Sequence, residues 1–274
     1  LKPGFSFWPM SLLAEKSFGK SPYVMDCLKL ISLDEILKVE KLKTLTILGV
    51  NDYKVAIAIK KLCYNLDVCV SLDGDWAKSK TGWRAKDIYY HLPHPIQAVI
   101  SFLNHLVQRW SLRNTRPTSW FSGKDSIFFK SYFVHLDDCS YKDGHFYSRQ
   151  WEFLPKVIHE EGIRSNWLHH FLFSKVIPDT RTGIDWLERF NRNSKSEGTH
   201  SFLDSYLSIV IILRTTIVWL KVLWKSFFMS KLERVFRPVN SSANLWPLLK
   251  DDWYRSFRGS YAIQNALNVE LLDV

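Results

Sequence analysis

"TLTILGVNDYKVAIAIKKLCYNLDVCVSL", residues 44–72, decides the reading of the fold. "TLTILGV" is a short β-rich run that ends at Gly49 and passes through Asn51 and Asp52 into the helical pattern "KVAIAIKKLCYNL". "DVCVSL" then gives a second strand. Strand, helix, strand predicts a βαβ unit and a parallel sheet. The turn holds one glycine where a GxGxxG fingerprint holds three, which argues against a dinucleotide pyrophosphate site.

Upstream, "SPYVMDCLKLISLDEILKVEK" begins with Ser21 as N-cap and Pro22 in the first turn, and Val24, Leu28 and Ile31 recur at helical spacing. Its basic end, "KVEKLKT", reads as a solvated helix end. Downstream, "HPIQAVISFLNHLVQRWSLR" sets Ile96, Val99, Ile100, Leu103, Leu106, Val107 and Trp110 on one face and Gln97, Ser101, Asn104, His105 and Gln108 largely opposite. That pattern predicts an amphipathic helix of about five turns. "SIFFKSYFVHL" reads as a buried strand and "SRQWEFLPKVIHEEG" as a helix that Pro155 kinks or starts, followed by the strand "SNWLHHFLF". The strand, helix, strand order thus occurs twice, and all four strands are expected in one Rossmann-like sheet.

From His200 to Phe236 nearly every residue is apolar or a helix former. Asp204, Arg214, Lys221 and Lys225 break every window of about 20 apolar residues that a membrane span requires. At about 100° per residue, Arg214, Lys221 and Lys225 fall within about 40° of one another, with Leu220, Leu223 and Phe227 across the helix and Trp219 near them. A basic stripe opposite an aromatic and aliphatic one fits an interfacial helix on an anionic membrane, and equally a long core helix with one wet edge. The expected organisation is an α/β domain over residues 1–199 and a helical segment over 200–274 packed on it.

The 274 residues carry a net charge of +10, with 46% hydrophobic and 15% aromatic content. A globular chain of this charge suits an acidic partner such as anionic lipid or a phosphate. Nucleic acid is not expected, because no reader motif accompanies the scattered Lys and Arg. Cys27, Cys63, Cys69 and Cys139 form neither a CxxC pair nor a zinc spacing, so reduced, mostly buried thiols in a cytoplasmic protein are expected. "NSS" at 240–242 is discounted as a glycosylation acceptor on the same ground. No signal peptide pattern opens the chain. The first residue is not Met and the last ones still look helical, so a piece of a longer protein is expected.

His135, Asp137 and Asp138 follow a strand directly, the position where open α/β sheets bind ligands. His135 and Asp138 are therefore the candidates for polar contact or base work, with loop capping by the Asp pair as the alternative. No metal is expected, since no convergent ligand set can be counted. His169 and His170 point to opposite sides of a strand, so at most one joins a site. "DDWYRSFRGS", 251–260, reads as a helix entrance in which Asp251 or Asp252 caps and Arg255 and Arg258 share a face against the dipole. With Ser256 and Gly259 beside them, these residues are candidates for a structural clamp or for contact with an anionic or sugar-like ligand.

"SPYVMDCLKLISL", "SYFVHLD", "FYSRQWEFLPKVI", "NWLHHFLFSKVIPD" and "WPLLKDDWYRSFRGSYAIQNAL", in this order, resemble the amino-terminal half of a family of bacterial surface-carbohydrate biosynthesis proteins associated with lipopolysaccharide O-antigen clusters. The resemblance runs over most of the chain; its motifs are distinctive as a set and weak singly. It implies one lobe of a two-lobed, glycosyltransferase-like protein, with a carboxy-terminal lobe absent here that would bind a nucleotide-activated sugar as donor. This chain would hold the glycan or lipid-linked glycan acceptor and lie peripherally on the inner membrane. The alternative is a non-catalytic scaffold of a glycan-assembly complex at the membrane.

Overall fold

The structure is a computed structural model and describes residues 8–15, 20, 21, 23–74, 85–133, 136, 140, 143–195, 197–229 and 232–273. His135, Asp137, Asp138 and Cys139 lie outside the described residues. The chain divides into two compact units, one made of Leu1–Phe102 and Thr216–Ala266 and the other of Leu103–Thr215 and Leu267–Val274. Each is α/β and each contains a parallel sheet, so the four expected strands do not share one sheet. The boundary expected at 199/200 falls inside a strand.

In the first unit α1 is Leu12–Glu15, α2 Tyr23–Glu40, β1 Thr44–Leu48, α3 Tyr53–Asn65 and β2 Cys69–Asp73. β1 and β2 pair in parallel, from Thr44 with Cys69 to Leu48 with Asp73. The start of α3 is fixed by Asp52, whose Oδ1 accepts the Lys54 and Val55 amides at 2.7 and 3.1 Å. At the end of β2 the chain passes so close to Val50 that a Cβ on Gly74 would stand 2.0 Å from the Val50 carbonyl oxygen, so only glycine fits. Leu30, Leu37, Ile59, Leu62 and Cys63 form the core with Leu248. Cys27 and Cys63 are buried free thiols, whereas Cys69 is exposed.

The Ser21 hydroxyl donates to the Asp252 carboxylate. α4, Ala85–His91, leads into α5, His94–Arg109, a helix as expected, which exposes much of its apolar face. Gln97, Ala98 and Phe102 are buried, while Ile96, Val99, Ile100, Leu103 and Val107 are exposed. Specific bonds hold Gln97 inside: its amide donates to the Leu92 and Tyr90 carbonyls at 2.7 and 3.3 Å, satisfying groups left open as α4 ends.

In the second unit β3 (Ser126–Tyr132), β4 (Arg164–His170) and β5 (Gly198–Phe202) form a parallel sheet in sequence order. α6, Leu154–Glu160, has Pro155 in its first turn, so the proline starts the helix and does not kink it. α7, Thr180–Asn193, makes the crossover from β4 to β5. β5 was hidden in the sequence by the helix-forming run that follows it. β4 is central and buried over Ser165–His169, as a strand covered on both faces must be. Its core is aromatic: Trp167 stacks on Phe129 with ring centres 4.4 Å apart, and Phe133, Phe171, Phe190 and Phe202 are all nearly inaccessible. Gly183 on α7 makes room for Phe171, whose Cε2 would stand 2.4 Å from a Cβ there.

α8, Ile209–Phe228, and a short α9, Leu232–Val235, precede α10, Trp246–Phe257, and α11, Ser260–Leu272. Pro247 in the first turn of α10 fixes its start, so "DDWYRSF" is the second half of a helix and not an entrance. Arg255 lies in the last turn and Arg258 follows it, where cations complement the helix dipole. The structural puzzle of two arginines opposing a dipole is thereby removed.

Candidate functional site

Ligands of parallel α/β sheets bind beyond the carboxyl ends of the strands. In the second unit those ends bring together Tyr132 from β3, His170 from β4 and Asp204, in the 3-10 turn Leu203–Tyr206 that follows β5. α5 contributes His105 and Arg109 from its last two turns. Asp204 is 3% exposed, and its Oδ1 and Oδ2 meet His105 Nε2 and Arg109 Nη1, each at 3.0 Å. Burial alone would raise this carboxyl, but the hydrogen bond from His105 and the Arg109 charge outweigh it and hold Asp204 below the usual range. Arg109 also lies over the rings of Phe171 and Phe173, at 5.6 and 6.0 Å.

His170 stacks on the exposed Tyr132 ring with centroids 5.3 Å apart. Its imidazole is pushed down to about 4, by burial first and then by the Lys130 ammonium, with Asp204 opposing. It is therefore neutral at physiological pH and can both give and take a hydrogen bond. An exposed aromatic ring and a neutral imidazole lie side by side at these strand ends, a pairing that suits a polyhydroxylated ring, whose C–H face meets the aromatic and whose hydroxyls meet the imidazole, while the buried Asp204 carboxylate is taken up by His105 and Arg109. His169, on the other face of β4, is completely buried and stacks on His200, with Nε2 to Nδ1 at 3.1 Å and the ring planes within 1°. One histidine of the pair thus faces the site and the other is core.

The residues 251–259 belong to the first unit and serve it internally. Asp251 pairs with Lys54, and Asp252, 3% exposed, accepts the Ser21 hydroxyl. Burial raises the Asp252 carboxyl, and the Ser21 hydroxyl and Arg255, whose Nη1 is 3.9 Å away and 41% exposed, offset it only in part. Arg255 also lies over the Tyr261 ring. Ser256 Oγ accepts the Leu12 amide at 3.0 Å. Arg258 donates through Nε to Ser226 Oγ at 3.0 Å and through Nη2 to the Ser226 carbonyl at 2.9 Å, and its guanidinium lies over Phe227, Tyr254 and Trp253. Gly259 lets the chain turn tightly between α10 and α11, since a Cβ there would stand 3.0 Å from Arg255 Cα.

α8 has three faces. Ile211, Thr215, Trp219, Val222 and Ser226 are buried. Leu213, Ile217, Leu220, Trp224 and Phe227 form an exposed apolar stripe, with Phe228 beside it. Arg214, Lys221 and Lys225 run along its edge and are exposed. Of the residues expected to face a membrane, Leu220 and Phe227 do face out and Leu223 is half-buried, but Trp219 is 5% exposed and packs inside, and Trp224 takes the outward place. Among the described residues no helix is long and apolar enough to cross a membrane, and no group of three His, Cys, Asp or Glu could hold a metal ion.

Asp204 and His105 escaped the sequence reading for a simple reason. Asp204 counted there only as a charge that interrupts an apolar run, and His105 as part of a polar helix face. A lone acid in so apolar a stretch is a signal of a buried, partnered carboxylate. Compared with family models, with curated proteins and with solved structures, the chain matches none.

Proposed function

We propose that this chain is the acceptor-side part of a glycosyltransferase-like protein of bacterial surface-carbohydrate (O-antigen) assembly, working at the cytoplasmic face of the inner membrane. The observation that carries the reading is the surface at the strand ends of the second unit, where Tyr132, His170 and the Asp204 cluster stand together. The neutral His170 orients acceptor hydroxyls while Tyr132 supports the sugar ring, and the Asp204 clamp fixes the carboxyl ends that carry them. His135 and Asp138, the polar candidates from the sequence, follow β3 in the chain and lie outside the described residues. A nucleotide-activated sugar is the expected donor, bound by a carboxy-terminal lobe outside this chain. The exposed stripe of α8, flanked by Arg214, Lys221 and Lys225, docks on anionic lipid: the aromatics enter the boundary layer and the cations meet headgroups.

Saturation-transfer NMR with O-antigen oligosaccharides tests the acceptor site. Saturation of sugar protons is expected, and Tyr132→Ala and His170→Ala should abolish it while the circular dichroism spectrum stays unchanged. No transfer with any oligosaccharide would overturn the reading. Co-sedimentation with vesicles tests the docking, expected to need anionic lipid and to weaken on Lys221→Glu combined with Lys225→Glu.

One observation favours the scaffold alternative. The apolar face that α5 exposes through Ile96, Val99, Ile100, Leu103 and Val107 suits a protein partner of a glycan-assembly complex. Membrane docking without any oligosaccharide contact would decide for that role.

A further inference from the structure

The first unit holds a cavity of about 550 Å³ that none of the candidate-site residues above lines. It lies where β1 gives way to α3, at the carboxyl end of a parallel strand, and α2 closes its other side. Its size is within the range that holds small ligands. The wall is aliphatic: Leu30, Ala58, Ile59 and Leu248 are core residues that turn toward it, and among the described residues that line it none is aromatic. The rim is polar, formed by Asp26, Lys29, Asn51 and Asp52.

The rim groups differ in what they have left to give. Asp52 is committed, with Oδ1 on the Lys54 and Val55 amides and Oδ2 accepting the Tyr23 hydroxyl at 3.0 Å. With three of its roughly four acceptor positions taken, it supplies charge and little spare acceptor capacity. Lys29 reaches Asp26 only at 3.5 Å and is largely exposed. Two carboxylates against one ammonium leave the rim net negative, which disfavours an anionic group there. Asn51 is exposed beside them and can both donate and accept.

We infer that this cavity binds a small amphiphile with an aliphatic body and an uncharged hydroxyl or amide head. The body fills the space between α2, β1 and α3, and the head meets Asn51 and Asp26 at the rim. The aliphatic wall disfavours a nucleobase or other flat aromatic body, which gains most from an aromatic neighbour. The inference is independent of the acceptor site in the second unit.

Decanol and decanoate form the test, because they share a chain and differ in the charge of the head. Titration of the whole chain at pH 8, followed by methyl NMR, should show saturable binding of decanol with shifts at the Leu30, Ile59 and Leu248 methyls. Decanoate should bind about tenfold more weakly, and Asp26→Lys should narrow that gap. Val55→Trp, at a half-buried position of the rim, should weaken decanol about tenfold or more by occupying the mouth. Leu33→Trp does the same from α2 should the first variant fail to fold. Three results overturn the inference: no saturable decanol binding, binding unchanged in folded tryptophan variants, or equal affinity for decanoate. The second of these would place decanol elsewhere, such as on the exposed stripe of α8.

Discussion

Asp204 and Asp252 are buried to the same degree, each 3% exposed and each with an arginine nearby, yet their carboxyls shift in opposite directions. Asp204 has two charge-assisted contacts at 3.0 Å, from His105 and Arg109, which are themselves largely buried. Asp252 has a serine hydroxyl and an arginine at 3.9 Å that solvent reaches. Desolvation is common to both, so the difference lies in whether close donors offset it. Unit two holds an ionised carboxylate that it can use to fix strand ends, and unit one holds a carboxyl that burial pushes toward its neutral form.

Breaking the first pairing should produce the largest effect. Arg109→Met leaves a buried charge with one partner and should cost roughly 3–5 kcal/mol in urea unfolding. Adding Asp204→Asn should restore part of that loss, because the uncharged amide no longer needs the guanidinium. A double variant no more stable than the single one would show that Arg109 acts through its packing on Phe171 and Phe173 instead.

Acid should loosen the second unit next. His169 is held well below the usual histidine range and His200 is pushed down to about 3, both chiefly by burial. Both titrate lower in the folded chain than in the unfolded one, so the unfolded chain takes up more protons as pH falls below about 6.5, and stability declines from there downward. For His200 the loss by pH 4.5 should be roughly 3 kcal/mol, at about 1.36 kcal/mol per pH unit. Thermal melts from pH 7 to 4.5 should show a shallower slope for His200→Phe than for the parent. Asp204 adds its own loss only lower, as pH falls through the range of an ordinary carboxylate and below.

Arg258 sharpens the contrast within the first unit. Arg258→Ala removes two hydrogen bonds to Ser226 and should cost roughly 1.5–3 kcal/mol in a chemical melt. Arg258→Lys should recover less than half, because an ammonium cannot hold the hydroxyl and the carbonyl while lying flat over Phe227 and Tyr254. The smallest effect is expected at the loosely paired carboxyl itself: Asp252→Asn should change stability by less than about 1 kcal/mol at pH 7. A loss as large as that of Arg109→Met would erase the distinction between the two aspartates.

The α/β class and the parallel pairing were legible in the sequence, since each rests on a local signal, whereas the helical run read over His200–Phe236 is helix only over Ile209–Phe228, after β5 and the turn that follows it. Residues 44–72 carry β-branched runs on either side of a helical period, while Pro155 left a kink or a start open and the structure places it in the first turn. Other features depended on partners distant in the chain. That β1 and β2 form one sheet and β3 to β5 another is decided by which helices cover them, and no period records that. The apolar face of α5 turned outward because Gln97 closes the end of α4 and because His105 and Arg109 reach Asp204, about a hundred residues on. Trp219 and Trp224 sit five positions apart on one helix, and only the packing against it determines which is core and which is surface. In the same way "DDWYRSFRGS" holds the residue types of a ligand site, but Lys54, Ser21 and Ser226 occupy Asp251, Asp252 and Arg258 from within the fold. Sequence fixed the local periods and capping signals because they arise from neighbours a few residues apart; tertiary structure decided the partners, because a buried charge takes whichever donor the fold brings within 3 Å.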